Sequence, residues 1–433
     1  MTKTGLSWFD GWMLGTGSMI GAAIFVVSGV IIGTGGPSSF LSFLFAGLAT
    51  LGVALCFSRL VEAFPQSSGG IYTYPKKVLK SDIVSFIAGW SLWGGQGLGP
   101  AIVGLSFAFY FSWLLRGLDV SVPISDTVLA ILIIVILGII NCLGADLSRK
   151  TQMVTTFSIL ACLLIFIAGG VPRIDGENLS PFLPYGVKGL LRASAMASLT
   201  YGAWSTIPSA SQEFQNPQKD VPLSMTLSIV TCAVLFSAVV FVQAGLVNHT
   251  ILSEASAPLA EAASRITGDA GLLIGVAGLF ATTSTLNGLI FTGSQLLKSM
   301  GRDALPSALG STSRWGTPGV AILITVSGQI ILVVTGLFLL IVEMTVFVTT
   351  ISWIIGCVSA AALNHQTTRS IKGYIVPGFS LGFCTVLCST LESMSLLLGM
   401  AWIGLGIVVY VLSFLTDTKR KESMTSSMIR HNT

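Results

Sequence analysis

Long apolar runs separated by short polar and charged segments set the rhythm of this chain. The hydrocarbon core of a bilayer is about 30 Å thick, so a helix needs about 20 apolar residues to cross it. Runs of that length fall at 12–35, 38–63, 83–115, 125–147, 152–172, 190–212, 223–247, 270–299, 317–341, 343–363, 374–394 and 396–416, which predicts twelve transmembrane helices. Helices are required because lipid offers backbone groups no partners, and the strict alternation of barrel strands is absent. The expected fold class is an all-α membrane protein.

Two of the runs are broken in the same way. Residues Gly15 to Phe25 read GTGSMIGAAIF, with three glycines and two hydroxyls in the first seven positions. Such a stretch has two physical readings. Gly17 and Gly21 form a small-xxx-small pair that lets another helix approach closely. Alternatively the helix is discontinuous, and its freed amides and carbonyls line a cavity near the midplane and hold a ligand. The second reading predicts an equivalent break elsewhere. The sixth run offers one, since Thr200, Tyr201, Gly202, Ser205 and Thr206 crowd its middle and Pro208 follows. Runs one and six open successive five-span units, the placement expected of inverted repeats around a shared site. The organisation expected is an N-terminal segment 1–11, a first repeat 12–172, a second repeat 190–363, two further spans within 374–416 and a tail 417–433. The last part of that tail, from Ser423, is expected to be unstructured.

Composition supports the membrane reading: 52% of residues are hydrophobic and 9% charged, with a mean hydropathy of +0.85, whereas a soluble domain carries about 25% charged residues. Within the runs, Asp, Glu, Lys and Arg keep to the ends, as at Arg59, Glu62, Arg192, Glu343 and Glu392. Intramembrane charges mark proton relays and charged-substrate sites. The centres carry Ser, Thr, Asn, Gln and Tyr instead, which suits a small zwitterion that brings both charges itself. Amides at the start of a half-helix face its carboxylate, and carbonyls at the end of another face its ammonium.

Of the 22 Lys and Arg residues, 17 fall on the side of the termini when the spans are even in number, so the positive-inside rule puts both termini in the cytoplasm. The net charge of +4 then reports topology, and no nucleic-acid partner is read from it. The seven cysteines all fall within runs and read as small buried apolar residues, without a disulfide or metal role. The histidines, His249, His365 and His431, lie in loops or the tail, so an intramembrane enzyme lacks its paired groups. The first run is too long and glycine-rich for a cleaved signal peptide.

Several motifs in order carry a resemblance. Gly21-Ala22-Ala23-Ile24-Phe25 in the first run, Glu62-Ala-Phe-Pro65-Gln-Ser-Ser-Gly69-Gly70-Ile-Tyr72 after the second, Ile140-Asn141-x-x-Gly144 and Gln152 around the exit of the fourth, Glu213-Phe-Gln-Asn216-Pro217-Gln-Lys219-Asp-Val-Pro222 after the sixth, and Gly301-Arg302-Asp303-Ala-Leu305-Pro306 with Gly316-Thr317-Pro318 between the eighth and ninth resemble the amino acid/polyamine/organocation superfamily of transporters. The resemblance implies a twelve-span, alternating-access transporter of the amino acid permease type in the plasma membrane, whose first ten spans form two inverted repeats with discontinuous helices 1 and 6. It implies that the substrate carboxylate meets amides of Gly21, Ala22 and Ala23 with Ser18 nearby, that the amine meets carbonyls of Leu199, Thr200 and Gly202, and that Gln96 lines the side-chain pocket. Two positions depart from the family pattern: Ala23 stands where glycine is common, and Ile159 stands where many members carry a lysine in span 5. In sodium-dependent relatives a cation sits between span 1 carbonyls and span 8 hydroxyls, here Gly17 and Ile20 with the run Thr282-Thr283-Ser284-Thr285, of which Thr282 and Thr283 are the expected ligands. No resident cofactor is implied; sodium and a proton are the candidate coupling ions, and uncoupled exchange is the alternative. Gly202 and Ala203 stand where some relatives have acidic or larger residues, which favours a neutral amino acid as substrate. The alternatives are exchange of cationic amino acids or polyamines, a nutrient sensor on a transporter fold, and a channel. The partners expected are the amino acid and the lipid bilayer; the oligomeric state is not legible.

Overall fold

Each apolar run coincides with helix in the structure, and several helices start at a side-chain cap. The computed structural model describes residues 5–21, 23–65, 70–120, 123–144 and 149–431, and for 23, 149–152 and 416–431 the backbone alone. The first run is α1 (Trp8–Met19) and α2 (Ser28–Gly35), followed by α3 (Ser39–Ala63) and the short α4 (Thr73–Leu79). The third run is α5 (Asp82–Leu92) and α6 (Ala101–Gly117), then come α7 (Asp126–Cys142) and α8 (Arg149–Gly170). The sixth is α9 (Gly186–Tyr201) and α10 (Thr206–Ser209); α11 (Pro217–Leu246), α12 (His249–Glu254), α13 (Pro258–Ser264) and α14 (Gly268–Asp303) follow. The rest comprises α15 (Ser307–Gly310), α16 (Gly319–Thr335), α17 (Phe338–Gln366), α18 (Lys372–Ser389) and α19 (Ser393–His431). Among the described residues the β-type pairing is an isolated parallel bridge between Leu6 and Phe214.

Seven helical stretches of the described chain are long and apolar enough to cross a membrane: Ile24–Ala63, Asp82–Gly117, Met153–Arg173, Pro217–Leu246, Gly268–Asp303, Phe338–Gln366 and Ser393–Leu415. Asp126–Cys142 and Gly319–Thr335 are shorter apolar helices. The molecule is an all-helical integral membrane protein.

Side-chain caps fix several helix starts. Ser7 and Asp10 form a capping box on α1, with the Ser7 N–H donating to the Asp10 carboxylate at 2.9 Å, which satisfies amides that have no partner within the helix. Ser81, Ser125 and Thr267 accept from Val84, Val128 and Ala270 at the starts of α5, α7 and α14. Two ends differ from the pattern read in the sequence. The fourth run stops at Cys142 rather than 147, and Gly144 beyond it has φ +76°, a left-handed turn that a helix cannot pass through. The backbone of α19 stays helical to His431, where an unstructured tail was expected; no Gly or Pro between Asp417 and His431 interrupts it.

Packing divides the core around the breaks. Helix α3 lies against α11 and α9, and α1 lies against α11. Here the close-packing motif appears, six residues earlier than Gly17 and Gly21: Gly11 meets Ser224 and Gly15 meets Ser228 with no room for a side chain. Those serines donate across to the carbonyls of Trp8 and Trp12 at 2.9 and 3.1 Å. Small residues and interhelical hydrogen bonds replace the missing hydrophobic drive between helices in lipid. On the other side, α14 packs on α6, α7 and α16, and Asn141 donates to Asn287 at 2.8 Å between α7 and α14.

Candidate functional site

Both broken runs leave α-helical geometry at the positions their glycines and hydroxyls mark. Helix α1 ends at Met19; the Ile20 N–H still reaches the Thr16 carbonyl at 2.9 Å, but the Gly21 N–H turns back to Met19 at 2.9 Å. The chain then makes a π-helix over Ala23–Val27 before α2. A π turn inside a helix is uncommon and often lies at a functional site. Gly21 has no space for a side chain, because a Cβ there would overlap the hydroxyl and methyl of Thr285 on α14.

In the sixth run α9 ends at Tyr201, whose hydroxyl donates to the Phe43 carbonyl of α3 at 2.8 Å. A 3-10 turn, Gly202–Ser205, separates it from α10. Carbonyls at such a junction need new partners. The Gly202 N–H takes the Leu199 carbonyl, and the hydroxyls of Thr200 and Thr206 take those of Ala197 and Ala203 at 2.7 and 2.8 Å.

A third irregularity was not legible from the sequence. Residues Trp93–Leu98 of the third run form a second π-helix. Gln329 of α16 donates to the Gly97 carbonyl at 2.6 Å, and the Trp93 indole donates to Thr325 at 3.2 Å. The widened turn carries Gln96 to the break in the sixth run, where its amide donates to the Gly202 carbonyl at 2.6 Å and contacts the Ser205 hydroxyl at 2.7 Å.

The two breaks, this π turn, α14 and α17 surround one cavity. Of the residues expected to hold substrate, Ser18, Gly21, Gln96, Leu199, Thr200 and Gly202 line it. Ala22 lies outside the described residues, and Ala23 opens the first π-helix. Gln96 does more than face the cavity, since it already occupies the Gly202 carbonyl. Of the expected cation ligands, Ile20 is buried at the end of α1 beside the partly exposed Gly17. Thr282 is buried and donates to the Gly278 and Leu279 carbonyls of its own helix at 2.8 and 3.0 Å, which leaves its lone pairs. Thr283 and Ser284 do not line the cavity; Thr285 does.

Sequence reasoning missed the wall supplied by α17, with Thr345, Val346, Thr349, Thr350 and Trp353, and the apolar floor of Ile102, Val103 and Leu289. A signal was present, because Thr345, Thr349 and Trp353 recur every fourth position and so share a helix face. No Asp, Glu, Lys, Arg or His is among the described residues lining the cavity.

The amino acid permease family model matches residues 10–415, nearly the whole chain and all of the cavity. The chain belongs to the amino acid permease family. Among relatives in that family's range, it is similar to the methylthioribose transporter of Bacillus subtilis, 30% identical over 315 residues that cover 69% of this chain and 68% of that one. It is 24% identical over 440 residues to the branched-chain amino acid permease BcaP of Bacillus subtilis, covering 95% and 93% of the two chains. It is 32% identical over 317 residues to the chloroplastic cationic amino acid transporter 9 of Arabidopsis thaliana, covering 69% of this chain and 55% of the relative, so it spans about half the length of that plant protein. As a permease-family chain it falls among transporters. Its cavity is bounded by interrupted helices and carries neutral polar groups.

Proposed function

We propose that this permease is a secondary-active, alternating-access transporter of neutral amino acids in the plasma membrane. It crosses the bilayer twelve times with both termini in the cytoplasm, and its spans within 12–172 and 190–363 are two inverted repeats, followed by two spans within 374–416. The substrate carboxylate lies at the break around Gly21, Ala22 and Ala23, near Ser18. Its ammonium lies at the break around Leu199, Thr200 and Gly202, where it displaces the Gln96 amide from the Gly202 carbonyl.

The observation that carries this reading is a cavity between two helix breaks whose described lining holds no ionisable side chain. A cationic side chain left there without an acidic partner would pay the desolvation cost of an unpaired charge, which weighs against the cationic substrates named for the plant relative. The coupling ion is sodium, at Gly17, Ile20, Thr282 and Thr283, or a proton. Ile159 stands in the apolar core at 5% exposure, so no lysine amine is offered at that position.

The test is counterflow and uptake of labelled amino acids by the purified protein in liposomes, with sodium and proton gradients imposed separately. Saturable uptake of neutral amino acids, competed by other neutral amino acids, is expected. Uptake or exchange of cationic amines alone, indifferent to neutral competitors, overturns the proposal.

A further inference from the structure

Helix α17 turns toward the cavity a face on which two polar atoms are buried without partners. Thr349 is 5% exposed and Trp353 is 2% exposed. Neither the Thr349 hydroxyl nor the Trp353 indole N–H has a hydrogen-bond partner among the described residues. Both residues line the cavity, one helical turn apart. Thr350, beside them on the same helix, behaves differently, since it donates to the Val346 carbonyl at 2.7 Å. The helix could therefore have satisfied a threonine internally, and at Thr349 it does not. Trp353 is held against Trp204 of the sixth-run break, with ring centroids 6.3 Å apart.

A buried polar group without a partner is costly, and a molecule that supplies the partner removes the cost. The indole N–H only donates, whereas a hydroxyl donates or accepts. Elsewhere in the cavity lining, Ile102, Val103, Leu289 and Val346 offer apolar surface. The complementary group is therefore a neutral oxygen on a short apolar stem: it accepts from Trp353 and bonds with Thr349, and it brings no charge into a wall that could not neutralise one.

We infer that Thr349 and Trp353 are specificity-determining residues that select, among neutral amino acids, those whose side chain carries a hydroxyl or carboxamide over aliphatic ones of equal size. The inference rests on the neutral-substrate reading above. A site built to hydrogen-bond a substrate oxygen penalises the analogue that lacks it more than an apolar pocket penalises a missing methylene.

Threonine and valine differ by a hydroxyl in place of a methyl and serve as the probe pair, with Vmax/KM measured for each in liposomes containing the full chain. The wild-type protein is expected to favour threonine over valine by roughly tenfold, the effect of about one recovered buried hydrogen bond. Thr349→Val and Trp353→Phe each bring that ratio toward one, while Thr349→Ser, which keeps the hydroxyl, retains it. Because the readout is a ratio of two substrates on one preparation, a lower yield of folded variant does not alter it. A wild type that takes valine as well as threonine, or Thr349→Val with the wild-type ratio, overturns the inference. A wild type that takes up neither amino acid but carries cationic ones overturns the underlying reading instead.

Discussion

At the scale of single residues, the first break is explained by what lies opposite it. Gly21 faces Thr285 so closely that a methyl cannot be added without displacing the threonine side chain, and forcing extra atoms into a packed interior costs about 1–3 kcal/mol. Gly21→Ala is expected to lower the apparent melting temperature of the detergent-purified protein, and Thr285→Ala added to it is expected to recover most of the loss. Purely additive effects of the two changes would mean that contact is not why glycine stands there. The position of Gly21 was legible because glycines and hydroxyls in an apolar run are locally conspicuous. Its partner was not: within the hydroxyl run of α14, Thr282 and Thr283 were the expected pair facing the first run, and only helix phase decides which members meet it. Thr282 and Thr285, three apart, share a face, whereas Thr283 is turned about 100° from Thr282. Gln96 shows a further limit, because its role at Gly202 depends on a π turn stabilised by Gln329, 232 positions away from Gly97.

At the scale of elements, polar residues at the ends of the apolar runs are joined into one network. Arg192 of α9 donates from Nε and Nη2 to one oxygen of Glu343 in α17 at 3.0 and 2.5 Å, and from Nη2 to Glu392 at 2.5 Å. The other Glu343 oxygen accepts from the Glu392 backbone N–H at 3.1 Å and from Ser395 of α19 at 2.9 Å. The Glu343 side chain is 1% exposed and that of Arg192 26%, so the carboxylate, rather than the guanidinium, is the group that cannot turn to water. Removing one partner from a buried pair is destabilising by about 3–5 kcal/mol, and Arg192 being partly exposed argues for the low end. Arg192→Met is therefore expected to lower the apparent melting temperature strongly, and Arg192→Met with Glu343→Leu less so, since the second change removes the stranded charge. Equal losses in the single and double variants would show that the carboxylate is satisfied by Ser395 and the Glu392 backbone alone. The sequence marked these three residues as lying at run ends, where charges belong; their meeting across 200 positions followed only from the fold.

At the scale of the whole molecule, the cavity lies where the helices that carry the two breaks meet α14 and α17. On one side, α1 is hydrogen-bonded to α11 through Ser224 and Ser228, and the end of α9 is tied to α3 through Tyr201, so both breaks belong to one packed group. On the other, α14 is packed with α6, α7 and α16. A solute touching Gly21 and Gly202 on one side and Thr285 and Leu289 on the other would add to the contact that Gly21 already makes with Thr285 and stabilise the folded chain as a whole. A ligand bound only by the folded state raises stability by about 2.7 kcal/mol at one hundred times its dissociation constant, enough to move a thermal unfolding midpoint measurably. Screening the purified protein against the twenty common amino acids, each with sodium and with a non-coordinating cation in its place, is expected to give upward shifts for neutral amino acids and none for arginine, lysine or a polyamine. If the carbonyls of Gly17 and Ile20 and the hydroxyls of Thr282 and Thr283 hold sodium, those shifts grow with sodium concentration, because the two ligands then stabilise the same arrangement of the first break. If they do not, the shifts are indifferent to sodium and the coupling lies elsewhere. A shift with cationic amines alone would mean that the uncharged wall is not the surface a substrate meets, since no acidic side chain among its described residues compensates a second positive charge.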